Sequence, residues 1–232
     1  MIQSVDIKQA RYELKFNGKS SQYEHSKAWL LKHPAGFRPI FQPRTINNIY
    51  YDNNDLHAFF ENLTGISSRA KLRLRWYDDI VNPTKATLEL KLRRNLFGWK
   101  VSDKVNFSKK KLSIMSWNEL GTLLRKQVNH DLALHFATSS LPILMNRYKR
   151  DYFMSADQNI RVTLDQNVQF FDQRMGYKMN KKFKNISPDM MIMEVKVDAK
   201  NAHLVKNFTK SIYLPRTKNS KYVIGVCSIL GY

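Results

Sequence analysis

The segment Arg69–Tyr77 reads RAKLRLRWY, in which Arg69, Lys71, Arg73 and Arg75 alternate with Ala70, Leu72, Leu74 and Trp76. A period of two is the period of a β-strand, so the cations share one face and the apolar residues the other. The same split recurs along the chain. Arg11, Glu13 and Lys15 oppose Tyr12, Leu14 and Phe16; Glu89, Lys91 and Arg93 oppose Leu88, Leu90 and Leu92. Lys100, Ser102, Lys104 and Asn106 oppose Trp99, Val101, Val105 and Phe107, with Asp103 an exception on the apolar side. Arg161, Thr163 and Asp165 oppose Ile160, Val162 and Leu164, and Ile192, Glu194 and Lys196 oppose Met191, Met193, Val195 and Val197. Ile143–Phe153 alternates less cleanly, with Arg147, Lys149 and Arg150 set between aromatics. Such strands form either a sheet with a solvated charged face or an inverted arrangement. In the second, apolar faces look outward beneath helices and charged faces line a water-filled interior. Rows of Arg and Lys on an open sheet repel one another and leave long edges, so the number of such strands favours the closed, polyanion-lined form.

Helical signals fill the gaps. Ser20 or Ser21 is placed to cap Gln22–Lys32, and Asn53 or Asn54 to cap Asp55–Leu63 ahead of Gly65. Ser116 with Glu119 has capping-box spacing for a helix running to about Val128. Asn201–Ile212 is amphipathic and is closed by Pro215. Ser220 caps Lys221–Leu230, a segment whose Val and Ile content also suits a strand. The stretches His33–Arg44 and Arg174–Asp189 read as loose connections. With no long linker and no repeat, residues 1–232 read as one α+β domain built on a largely antiparallel sheet.

Composition narrows the function. Against 19 acidic residues stand 39 Lys and Arg, a formal charge of +20, which calls for an acidic partner. The chain is 43% hydrophobic, too apolar for a disordered basic tail. No apolar run approaches the ~20 residues of a membrane span, and Met1–Ala10 is mixed and polar, unlike an export leader. A single cysteine, Cys227, excludes an internal disulfide and reads as a buried, inert thiol in a reducing, cytoplasmic setting. Neither GxGxxG nor GxxxxGK[ST] occurs, and the six histidines form no HExxH pair. The remaining chemistry lies in Glu13, Glu89, Asp165 and Glu194, carboxylates on cationic strand faces. Such acids either neutralise neighbouring cations or hold Mg²⁺ or Mn²⁺ beside phosphates gripped by Arg and Lys. Glu194, in MEVKV with few local cations, is the preferred ligand.

Taken in order, Arg11-Tyr-Glu-Leu-Lys15, Arg73-Leu-Arg75-Trp-Tyr, Leu90-Lys91, Asn146-Arg147, Arg161-Val-Thr-Leu-Asp165, Glu194-Val-Lys196 and Ser220-Lys221 resemble the catalytic domain of the vacuolar transporter chaperone family. These domains are polyphosphate polymerases of the triphosphate tunnel metalloenzyme superfamily. The resemblance runs from about residue 9 to about 225 and implies an antiparallel β-barrel forming a charged tunnel, with helices packed outside.

By position the resemblance implies phosphate-binding roles for Lys15, Arg73, Arg75, Lys91, Arg147 and Arg161. A further lysine falls on Lys104 or Lys100, the turn Arg94–Trp99 leaving both registers open. Glu194 falls on the family's metal ligand, and Ser220 and Lys221 on its chain-contacting pair. The implied reaction moves the terminal phosphoryl group of ATP onto inorganic polyphosphate, with Mn²⁺ or Mg²⁺ as cofactor. Hydrolytic tunnel relatives begin ExExK, whereas here Arg11 replaces the first acid, which favours transfer over hydrolysis. A tunnel-fold triphosphatase is the alternative. A non-catalytic polyanion- or RNA-binding protein is the second, disfavoured because Tyr12, Trp76, Trp99 and Phe107 lie opposite the cations rather than among them. No specific nucleic acid is therefore expected. The sensing domain and membrane helices of eukaryotic members do not fall in these 232 residues. This chain is expected not to insert in a membrane, and coupling to transport would need a membrane-protein partner.

Overall fold

The computed structural model describes residues 11–80, 83–94, 97–107, 111–182, 188–218 and 220–231. The elements in chain order are β1 (Arg11–Gly18), α1 (Tyr23–Lys32), β2 (Arg38–Asp52), α2 (His57–Thr64), β3 (Ser68–Tyr77), β4 (Lys85–Arg94) and β5 (Phe97–Asn106). There follow α3 (Trp117–Gln127), α4 (His130–Thr138), β6 (Leu141–Met154), β7 (Ile160–Asp172), β8 (Met191–Asp198), α5 (Ala202–Lys210), β9 (Arg216–Thr217) and α6 (Lys221–Leu230). The hydrogen-bonded strand order is β5-β4-β3-β2-β6-β7-β8-β1-β9. The α+β class and the large antiparallel sheet are those the sequence implies. Among the described residues the ladder is open, ending at β5 and β9, where a closed barrel would join its ends.

The chain forms two units. The first comprises Met1–Arg44, Tyr148–Val168 and Pro188–Asn219; the second comprises Thr45–Arg147, Gln169–Ser187 and Ser220–Tyr232. Each has its own apolar core. In the first unit, Phe16, Val162, Leu164, Met191, Met193, Val195 and Val197 from the strands pack with Leu30 of α1 and Phe208 of α5. In the second, Leu72, Leu74, Trp76, Leu88, Leu90 and Val105 pack with Leu120 and Leu124 of α3 and Leu132 and Phe136 of α4. Within each unit the apolar strand face lies under helices, and the alternating cations point to the other face. Tyr12 departs from this pattern: it is exposed rather than part of a core.

Local chemistry explains most boundaries. The Ser116 hydroxyl accepts the Glu119 N–H, and the Glu119 carboxylate accepts the Ser116 N–H, completing the capping box of α3. Asp103, the acid on the apolar side of β5, accepts the Asn129 N–H at 2.7 Å just ahead of α4. α2 starts at His57, after Leu56 in a left-handed conformation at φ 53°. Its first N–H groups are met by Asp52, at 3.0 Å from Ala58 and 2.9 Å from Phe59, and by Asn53, which accepts from His57. The cap expected from Asn53 or Asn54 is therefore shared between Asp52 and Asn53. His33–Arg44 is not a loose connection, since β2 begins at Arg38. Pro39 and Pro43 fall in the exposed first half of β2, and the strand is buried only from Ile46 onward. Lys221–Leu230 is a helix, capped by Ser220, which accepts the Val223 N–H. Cys227 is half-buried rather than buried. Residues 183–187 of the expected surface loop Arg174–Asp189 lie outside the described residues; in the described part, Tyr177 O and Gly176 O accept from Trp117 N and Nε1. Among the described residues no helix is long and apolar enough to cross a membrane.

Candidate functional site

The charged face of the second unit is laid out by register. Across β3, β4 and β5 the neighbours are Arg69–Arg93–Gly98, Lys71–Lys91–Lys100, Arg73–Glu89–Ser102 and Arg75–Thr87–Lys104. Tyr50 and Asn48 of β2 extend the last two rows, opposite Arg73 and Arg75. Glu89 is thus the single carboxylate among the side chains of these β3–β5 rows, and it is only 5% exposed. Arg73 holds it twice, through Nε at 2.8 Å and Nη2 at 2.7 Å. Arg75 Nη1 lies 3.8 Å away, and Lys100 Nζ meets the other carboxylate oxygen at 3.1 Å. Burial works against ionisation of Glu89, but Arg73, Arg75 and Lys100 overcome it and pull its pKa down to about 2.

The two arginines are fixed from behind. Arg75 Nε donates to Asn48 Oδ1 at 2.8 Å, and Asn48 Nδ2 donates to Asn146 Oδ1 at 2.7 Å. The Asn146 Nδ2 group is buried without a hydrogen-bond partner. Arg73 Nη1 reaches the Tyr50 hydroxyl at 3.4 Å, and Tyr50 stacks on Tyr222 of α6 with ring centroids 4.9 Å apart. Tyr222 in turn donates to Asp52 at 2.6 Å. α6 sits too close for any side chain at Gly225: an added Cβ would lie 2.3 Å from Leu144 Cδ2. Its capping Ser220 receives a hydrogen bond from Lys71 Nζ at 3.3 Å.

The polar face of the first unit has a different balance. Register aligns Arg161–Lys196–Glu13 and Thr163–Glu194–Lys15–Thr217. Glu194 is 6% exposed and is bound by Lys196 Nζ at 3.1 Å and Arg150 Nη2 at 3.1 Å. Arg150 also grips Asp165 through Nε at 2.5 Å and Nη2 at 2.7 Å. Lys15 Nζ lies 3.2 Å from Glu13. The Glu194 carboxyl is driven well below its usual range: burial opposes this, but Lys196, Arg150 and Lys15 outweigh it, and a side-chain hydrogen bond from Glu13 adds to them. The expectation of few cations around Glu194 is therefore corrected. Lys196 is two residues away on the same strand face, and the others arrive from β1 and β6, which the local sequence does not show. At either end of the Glu194–Lys15 row, the hydroxyls of Thr163 and Thr217 are buried without partners.

The metal expectation can be tested on this donor set. Among the described residues no three His, Cys, Asp or Glu side chains gather to hold a metal. Glu194 and Glu13, however, lie on the same face of the β8–β1 ladder in adjacent rows, Glu13 opposite Lys196 and Glu194 opposite Lys15. That pair of hard oxygen donors fits Mg²⁺ or Mn²⁺, ions that bind through one or two carboxylates and complete their shells with phosphate and water.

Of the expected residues, Arg73, Arg75, Lys91, Lys100 and Lys104 share the second unit's charged face, and Ser220 joins it through Lys71. Lys221 is the first residue of α6. Lys15, Arg161 and Glu194 share the first unit's face. Arg147 joins neither cluster; alternation along β6 puts it on the side of Met145, a core residue. Arg150, Asn48 and Lys71 were not among the expected site residues. Lys71 was visible in the alternation, whereas Arg150 needed the pairing with Asp165 and Glu194.

Both units thus share one arrangement, strands that carry cations and a few buried carboxylates on one face and an apolar face under helices. The sequence profile of the VTC domain matches residues 10–230, and the chain belongs to the VTC domain family. Among solved structures, a Vibrio parahaemolyticus protein with a provisional adenylate cyclase assignment is similar at 13% identity and a TM-score of 0.49, over 93% of this chain and 98% of that one. A chain of the Schizosaccharomyces pombe Mediator head module is similar at 10% identity and a TM-score of 0.43, over 89% and 99%. No curated protein matches the sequence.

Proposed function

We propose that this chain is a metal-dependent polyphosphate polymerase, transferring the terminal phosphoryl group of ATP to the end of an inorganic polyphosphate chain. An oxygen of the chain's terminal phosphate forms the new P–O bond, the bond between the β- and γ-phosphates breaks, and ADP leaves with that electron pair. The observation that carries the reading is Glu194, a buried carboxylate kept ionised by Lys196, Arg150 and Lys15. A buried carboxylate that stays charged is what a divalent ion needs, and the cations around it suit phosphate oxygens. Mn²⁺ or Mg²⁺, held by Glu194 with Glu13, would offset charge on the transferring phosphoryl group.

The chain's own residues do the rest by positioning and charge. Arg73 and Arg75, immobilised by Glu89 and Asn48, present guanidinium edges to phosphate oxygens. Lys15, Lys91, Arg161 and either Lys100 or Lys104 add point or planar charges, and Ser220 and Lys221 contact the chain. Arg11 in the place of an acid leaves fewer metal ligands to activate water, which favours phosphate over water as acceptor. We assign the activity to the cytoplasm, with a membrane-protein partner where synthesis is coupled to transport.

The test is incubation of the protein with ATP and Mn²⁺ or Mg²⁺, with the products resolved on a gel. A polyphosphate ladder is expected, and Glu194→Gln should abolish it while leaving the fold intact. Orthophosphate without a ladder would reassign the chain to triphosphate hydrolysis. Normal turnover by the variant would remove Glu194 from the metal site.

A further inference from the structure

We infer that Lys71, Lys91 and Lys100 form a track for the polyphosphate chain, in which Lys71 is a binding residue that favours condensed phosphate over short phosphates. This rests on the polymerase reading and adds a residue and a chain-length preference to it. The argument begins with register. Lys71 on β3 lies directly opposite Lys91 on β4, and Lys91 directly opposite Lys100 on β5. All three therefore point to the face that carries Glu89 and Arg73. Like charges placed directly opposite across a ladder destabilise a sheet, and here two such contacts are adjacent. A bound polyanion converts that repulsion into attraction.

The ends of the row are held in place. Lys100 Nζ is anchored on Glu89 at 3.1 Å, and Lys71 Nζ donates to the Ser220 hydroxyl at 3.3 Å. Two strand spacings of ~4.8 Å put the outer lysines about 10 Å apart at the backbone. An orthophosphate or pyrophosphate reaches part of such a row, whereas a chain of phosphates can lie along all of it.

Residue type separates this row from its neighbour. Arg73 and Arg75 are tied to Glu89 and Asn48 and offer donors in a fixed geometry. Lysines offer point charges on flexible stems with rotatable donors. A fixed fork suits a phosphoryl group that must be aligned, and a lysine row suits a chain that must advance without a preferred register.

The experiment is equilibrium binding of long-chain polyphosphate and of pyrophosphate to wild type, Lys71→Gln and Lys71→Arg, without metal, over a range of salt. Gln keeps an N–H donor for Ser220 while removing the charge. Lys71→Gln should weaken long-chain binding about tenfold, equivalent to about 1.4 kcal/mol. It should leave pyrophosphate affinity unchanged and reduce the slope of log K against log salt by about one. Lys71→Arg should restore affinity and slope. Equal loss for both ligands, no loss for either, or an unchanged slope would overturn the track. The readout needs no turnover, so the two ideas fail separately. Chain-length-dependent binding that is sensitive to Lys71, in a protein that makes no ladder, would leave the track standing and remove the polymerase. A ladder made by wild type, with Lys71→Gln binding long chains normally, would do the reverse.

Discussion

Replacing Glu89 with Gln should lower the stability of the protein by about 3 kcal/mol at neutral pH. The magnitude follows from the site. The pKa of Glu89 falls from an ordinary 4.5 to about 2 on folding, because Arg73, Arg75 and Lys100 together outweigh the burial that opposes its charge. About 2.5 units at 1.36 kcal/mol each gives roughly 3.4 kcal/mol. The carboxylate is only 5% exposed, so solvent screening takes little from this figure. It also falls within the 3–5 kcal/mol range for removing one partner of a buried ion pair. The pH dependence has a definite sign. A carboxylate whose folded pKa is depressed stabilises fully above its unfolded pKa, near 4.5, and loses that contribution as pH falls through about 2. The wild-type advantage over Glu89→Gln should be constant from about pH 7 to pH 5 and shrink by about 2 kcal/mol by pH 3. Urea unfolding of both proteins at several pH values measures it. A difference that is independent of pH, or below about 1 kcal/mol at neutral pH, would refute the assignment of Glu89 as the charge that holds the arginines.

Two further substitutions probe the parts that seat these groups. Gly225→Ala puts a methyl 2.3 Å from Leu144 Cδ2 and 2.8 Å from Phe170 Cδ1, so α6 must shift; a loss of about 1–3 kcal/mol is expected from thermal melting. Arg150→Met leaves Asp165 and Glu194 without their shared guanidinium, and denaturant titration should show a loss of about 3–5 kcal/mol.

The parts of the structure that were legible in the sequence are those where one strand face is uniformly apolar. RAKLRLRWY announces β3 and its two faces because every position from Arg69 to Trp76 obeys the alternation, and register then brings Arg73 and Arg75 to Glu89. β2 was not legible because Pro39, Pro43 and an exposed stretch in which Phe41 is no more buried than Gln42 or Arg44 break the pattern in its first half. In β6 the buried residues occupy both faces, so nothing local distinguishes Arg147 from Arg150. The distinction comes from Asp165, 15 residues later, and from Glu194, 44 residues away. The surroundings of Glu194 were misjudged for the same reason. MEVKV shows one cation, and the others are contributed by strands distant in sequence.

The two polar faces differ in charge balance, and the difference bears on metal dependence. On the second unit's face Glu89 is alone among Arg69, Arg93, Lys71, Lys91, Lys100, Arg73, Arg75 and Lys104. That excess of positive charge attracts phosphate without help from a metal. On the first unit's face, Glu13, Asp165 and Glu194 meet Lys15, Arg150, Arg161 and Lys196, leaving little net charge. A phosphate arriving there gains little from the face as a whole and meets carboxylates that repel it. On the polymerase reading, a divalent cation held by Glu194 with Glu13 would add positive charge where the phosphoryl group has to be held. On that reading, chain binding in the absence of metal is therefore a property of the second unit's face, and the need for a metal arises at the first.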